Sequence, residues 1–269
     1  MSSDAPIGIF DSGVGGLSVL KEIVKLLPLE DVVYVADAKN CPYGEKPKEE
    51  VLRLSINIVD FLLKKGSKLI AVACNTATAA AIDELRRLYP DIPFVGMEPA
   101  VKPAARQSKT GNVGILATAG TFKGRLFNET SQRYASNVKL HEAVGSGLVD
   151  LVEQGKEDSD EAVKLLQKYL QPMLDNNIDE LVLGCTHYPF LQNSIEKITK
   201  GRVELVNPAP AVAVQVKHIL ERHDLLNSGE ESRKIEFYST RDADLLRQMQ
   251  NRHIAAPAGT ICLFSNLTL

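Results

Sequence analysis

The chain has 269 residues, enough to bury a sizeable core as one large domain or two medium ones. Lysine and arginine number 31 against 34 acidic residues, a formal net charge of −3, so no basic footprint points to nucleic acid or an anionic membrane surface. No apolar run reaches the roughly 18 residues a membrane span needs, and the N-terminus has no basic flank leading into an apolar segment. A cytoplasmic protein acting on a small molecule is the expectation.

In chain order, short β-branched or apolar runs alternate with longer stretches of helical period. IGIF at 7–10, VVYVAD at 32–37, KLIAVAC at 68–74 and PFVGM at 93–97 read as strands. Between them, LSVLKEIVKLL at 17–27 and EEVLRLSINIVDFLLKKG at 49–66 repeat apolar residues at three- and four-residue spacing, the second closing on a C-cap at Gly66. That rhythm predicts an α/β fold with mainly parallel sheets and crossover helices. The pattern then restarts. VGILATAGT at 113–121 echoes IGIFDSGVG at 7–15, and DELVLGCTHYP at 179–189 echoes SKLIAVACNTA at 67–77. The paired glycines Gly8 and Gly114 are 106 residues apart and the paired cysteines Cys74 and Cys185 are 111 apart, which reads as a duplicated half.

Proline-rich segments at 93–105 and 207–213 bound the second unit and are natural crossing points, because proline restricts its own φ and the residue before it. Two pseudo-symmetric lobes are therefore expected, with the active site between them. Lobe one comprises 1–98 plus 208–269 and carries Asp11 and Cys74; lobe two comprises 99–207 and carries Cys185 and His187. The returning stretch holds a strand, KIEFYST at 234–240, and a helix, RDADLLRQMQNRH at 241–253.

The four cysteines, Cys41, Cys74, Cys185 and Cys262, show no CxxC spacing, which argues against a zinc ribbon or a thioredoxin-type site. Cys74 and Cys185 each end a predicted strand and precede polar residues, Asn75-Thr76 and Thr186-His187, at the sheet edge where α/β proteins bind ligands. Buried core cysteines are the plain alternative. Two facing thiols can form a disulfide, hold a metal or act as an acid/base pair on opposite faces of one carbon. A reducing compartment disfavours the first, and a single adjacent histidine offers too few ligands for the second, so neither metal nor cofactor is expected. His187 and Asp11 are candidate partners that tune the thiols.

The loop Asp11-Ser12-Gly13-Val14-Gly15-Gly16 leads into a helix and can hold an anionic group. A dinucleotide fingerprint fails there because Ser18 stands at its third glycine, although Asp37 imitates a ribose-binding acid. The loop DAKNCPYGEKP at 37–47 brings Tyr43 and Gly44 to the same edge; its Cys41, without a matched partner, reads as incidental, as does Cys262. Glu153 in GLVDLVEQG reads as a helix-face carboxylate.

Taken together, IGIFDSGVGGLSVL, DAKNCPYGEK, ACNTATA and GCTHYPFL resemble the signature set of bacterial glutamate racemases in the aspartate/glutamate racemase superfamily. The resemblance spans most of the chain. It implies a substrate enclosed between two α/β lobes, with Cys74 and Cys185 as cofactor-independent acid/base residues, the first working on D-glutamate and the second on L-glutamate. Carried over by position, it places Asp11, Ser12, Tyr43, Gly44, Asn75, Thr76, Thr186 and His187 at the substrate, adds Thr118 and Thr121 as carboxylate-holding threonines, and puts Glu153 near Cys185. It further implies D-glutamate for peptidoglycan and a homodimer. No extension precedes the first strand, so the activation by a peptidoglycan precursor that accompanies one in some members is not expected. Aspartate racemisation in a shorter pocket, and amino-acid binding without turnover, are the rival readings.

Overall fold

A computed structural model describes residues 3–98, 100–229, 233–254 and 259–269. The chain begins β1 (Ile7–Asp11), α1 (Leu17–Leu26), β2 (Val32–Ala36), α2 (Lys48–Lys64), β3 (Leu69–Val72), α3 (Asn75–Leu88) and β4 (Phe94–Gly96). It continues α4 (Val101–Gln107), β5 (Asn112–Ala117), α5 (Ala119–Phe122), α6 (Arg125–Tyr134), β6 (Lys139–Val144), α7 (Leu148–Glu153), α8 (Asp160–Asp175), β7 (Glu180–Gly184), α9 (Gln192–Thr199) and β8 (Glu204–Val206). It ends α10 (Ala209–Arg222), β9 (Lys234–Ser239), α11 (Ala243–His253) and β10 (Ile261–Asn266).

These strands form two all-parallel sheets, one ordered β10-β9-β2-β1-β3-β4 and the other β6-β5-β7-β8. The suborder β2-β1-β3-β4 in the first matches β6-β5-β7-β8 in the second, so the echoed segments occupy equivalent positions. Central strands β1, β2, β3 and β7 are buried at every residue, which is why their sequences are continuous apolar runs, whereas β9 alternates and β10 at the edge is largely exposed.

The local signals behave as their chemistry requires. Gly66, just past α2, takes a left-handed φ of +81° that a side chain would resist. Both proline-rich segments, read as crossing points, also contribute to helices. Pro103 falls in the first turn of α4, and Pro208 and Pro210 cap and open α10, positions where a missing N–H costs nothing. Helix α10 packs on α1, the helix that follows β1. Pro99, at the expected boundary between lobes, lies outside the described residues. None of the described helices is long and apolar enough to cross a membrane.

One buried ion pair pins the start of β3. The Lys68 ammonium is fully buried, 2.6 Å from a Glu30 carboxylate oxygen, and also donates to the Ser3 carbonyl. The other Glu30 oxygen accepts from the Asn227 amide at 2.8 Å, tying the turn before β2 to the segment that follows α10.

Candidate active site

The carboxyl ends of both sheets' central strands converge on one small cavity. Its wall includes Ser12, Tyr43, Gly44, Cys74, Asn75 and Thr76 from the first sheet's side, and Thr118, Cys185, Thr186 and His187 from the second. A larger groove beside β4 and β8 contains neither thiol.

The loop after β1 reaches across the gap because it carries glycine where the other side presses closest. A Cβ at Gly13 would fall 2.0 Å from a Glu153 carboxylate oxygen, and one at Gly15 would fall 2.3 Å from His187 Nδ1. Asp11 anchors this loop: its carboxylate accepts from the Gly16 amide at 2.8 Å and the Gly13 amide at 3.3 Å, and from the Thr186 hydroxyl at 3.4 Å. Tyr34 secures the same turn by donating to the Gly13 carbonyl. Burial raises the Asp11 pKa, with the nearby His187 charge opposing it. Asp11 stands behind the cavity wall rather than in it, and so does Thr121.

Cys74 follows β3 and is the N-cap of α3, its sulfur accepting from the Ala77 amide at 3.4 Å. A helix N-terminus favours the thiolate, yet burial outweighs it. The Cys74 pKa lies well above the ordinary thiol value because of that burial and the adjacent Asp11 charge. Ser12 Oγ lies 3.9 Å from this sulfur.

Cys185 follows β7 at the equivalent position, and its surroundings differ. Its sulfur is 3.7 Å from His187 Nδ1, while His187 Nε2 is 2.6 Å from Glu153. Glu153, at the end of α7, is itself held by the Val14 amide at 2.7 Å, so the loop of one sheet orients the carboxylate serving the other. Burial opposes the imidazolium, but hydrogen bonds with Cys185, Cys41 and Glu153 outweigh it and raise the His187 pKa well above the usual imidazole value. Cys41, read from sequence as incidental, lies against this same histidine; burial pushes its thiol up to about 11, with His187 working the other way.

The remaining polar groups form a floor. Thr76 and Thr118 hydroxyls are 2.9 Å apart, and Thr118 continues to Thr121 at 2.9 Å. Asn75 is buried with neither its amide nitrogen nor its oxygen hydrogen-bonded, a costly state unless a polar ligand engages it. Tyr43 lines the cavity with its ring while its hydroxyl donates to Asp37. Asp37 also accepts from Asn40 and Thr240, which leaves it no role at a ribose.

Pro42 and Val149 line the cavity too, and neither stands out in the sequence. Pro42 lies in the loop already marked by Tyr43, and Val149 one turn before Glu153 on the helix face that approaches the site; only the latter spacing offered a signal.

Two matched buried thiols at equivalent sheet positions agree with the family model described as Asp/Glu/Hydantoin racemase, which matches residues 7–216. The chain belongs to the Asp/Glu/Hydantoin racemase family. Among relatives of this racemase-family chain is the glutamate racemase of Ectopseudomonas mendocina, 48% identical over 224 residues, covering 83% of this chain and 85% of the relative. Glutamate racemase isoform RacE1 from Bacillus anthracis superposes with a TM-score of 0.87 at 30% identity, over 99% of this chain and 98% of that one. The Francisella tularensis glutamate racemase in complex with D-glutamate gives 0.83 at 27% identity, with the same coverage of 99% and 98%.

Proposed function

We propose that this chain interconverts L- and D-glutamate without a cofactor, by a two-thiol acid/base mechanism, and that its D-glutamate serves peptidoglycan synthesis. The observation that carries the reading is the pair of buried sulfurs, one from each sheet, in a single small cavity. The names of the relatives favour glutamate over aspartate as substrate. A cytoplasmic homodimer is the working form that the family resemblance supports.

With L-glutamate bound, the Cys185 thiolate removes the α-proton from one face, and the Cys74 thiol delivers a proton to the other. Burial and the adjacent Asp11 charge favour the protonated form of Cys74, and the His187 ring stands 3.7 Å from the Cys185 sulfur, placed to exchange a proton with it. After turnover the protonation pattern is reversed, which is the form competent for D-glutamate. Glu153 holds the imidazole in position and compensates its charge. The first turn of α3 and the unpaired Asn75 amide supply donors for substrate carboxylate and for charge that develops as the α-proton leaves.

The test is circular dichroism of pyridoxal-free protein incubated separately with each enantiomer. Convergence from both sides on zero rotation supports the reading; no change with glutamate, or faster change with aspartate, overturns it. Gly15→Ala probes the fit between the sheets. Its Cβ displaces His187, and a shift of about 1 Å at a catalytic group costs on the order of 100-fold in rate. Steady-state assays of folded G15A protein should show that loss, and wild-type rates would refute the close approach.

A further inference from the structure

We propose that Cys41, His187 and Glu153 form a binding site for a thiophilic divalent cation of the zinc type, and that its occupation shuts the racemase down. One ligand atom from each residue, the Cys41 sulfur, a His187 ring nitrogen and a Glu153 carboxylate oxygen, all lie within 4.8 Å of one another. The sequence shows a single histidine beside Cys185 and no metal spacing; only the folded chain brings the loop at 37–47 and the end of α7 to that histidine.

The donor set is specific. A thiolate selects zinc or similar borderline-soft ions over magnesium and calcium, which prefer oxygen alone. One sulfur, one nitrogen and one oxygen leave a fourth tetrahedral position for water or a substrate carboxylate. Zinc bonds of about 2.0–2.3 Å place ligand atoms roughly 3.3–3.7 Å apart, so an ion would part the His187–Glu153 hydrogen bond, now 2.6 Å, and draw the Cys41 sulfur to that spacing. Cys41 is half-buried in the 37–47 loop, which leaves this residue partly accessible from solvent. The Val14 amide on Glu153 is an existing outer support of the kind that orients metal ligands.

Charge also balances. A thiolate, a carboxylate and a neutral imidazole sum with a divalent cation to zero, so no net charge is buried. Binding releases the Cys41 proton, and that of the imidazolium, to solvent. It also takes His187 and Glu153 away from Cys185, which is why inhibition follows. That consequence rests on the two-thiol reading, whereas binding of the ion does not.

The experiment uses chelator-stripped full-length protein in a phosphine reductant, titrated with zinc against a chromophoric chelator and with cobalt(II) for its thiolate charge-transfer band. One ion per chain is expected, with affinity at least tenfold weaker and the cobalt band lost in Cys41→Ala, and both retained in Cys74→Ala. Zinc should abolish turnover and EDTA should restore it. Absence of stoichiometric binding by wild type, or a band that survives Cys41→Ala but vanishes in Cys74→Ala or Cys185→Ala, overturns the site. Tight Cys41-dependent binding without loss of turnover overturns the inhibitory role and with it the placement of His187 in the reaction.

Discussion

Cys74→Ala and Cys185→Ala are each expected to lower kcat/KM by about 1,000-fold or more in both directions, measured on protein checked for folding by thermal unfolding. Positioned acid/base groups contribute on the order of 100- to 10,000-fold, and in the proposed mechanism the lost group is one of the two that act in every turnover. The equilibrium constant for a racemisation is one, so kcat/KM falls equally from either enantiomer whichever cysteine is removed. Differences between the two walls of the site therefore appear only in kcat and KM separately, as matched changes that cancel in the ratio. The control is Cys262→Ala, in edge strand β10 and outside the cavity, which leaves turnover unchanged. Wild-type kcat/KM in either cavity variant contradicts the two-thiol assignment.

Lys68→Met is the second large effect, and it acts on stability. The substitution keeps an unbranched chain of similar length in β3's entry but strips the buried Glu30 carboxylate of its 2.6 Å partner. Breaking a buried pair from one side costs about 3–5 kcal/mol, because a charge remains in a poorly solvating site. For a chain of this size that corresponds to a fall of roughly 6–20 °C in Tm. Adding Glu30→Gln to Lys68→Met should recover much of the loss, since no charge is then left alone. A single variant that melts with wild type, or a double variant no better than the single, shows that the pair is not what pins this segment.

The layout of the fold was legible because parallel strands buried on both faces leave continuous apolar runs, as in IGIF, VVYVA and ELVLG, and because helices such as α2 keep their period and terminal glycine. The doubled cysteine motif also survived in plain view, since each copy ends a central strand. What the sequence hid is tertiary in origin. Cys41 looked isolated because its neighbour, His187, lies in the other sheet's turn, far away along the chain. Glu153 showed helical spacing, yet nothing local indicated that the Val14 amide would fix it. Asp11 and Thr121 carried polar signals that do not distinguish a residue touching the cavity from one supporting those that do. The prolines at 208 and 210, read as a crossing point between lobes, also start a helix, because the first turn tolerates what a helix interior does not.

Racemisation in D2O distinguishes one thiol on each face of the α-carbon from a single base serving both. L-Glutamate is converted by the wild-type protein and the α-hydrogen of each enantiomer is followed at low conversion. With two thiols, D-glutamate carries deuterium at Cα from the first turnover while unreacted L-glutamate keeps its protium, because the sulfur that takes the proton is not the one that supplies it. Deuterium entering unreacted L-glutamate as fast as the product, or product retaining the substrate's own proton, would mean that a single base serves both faces and would contradict the account.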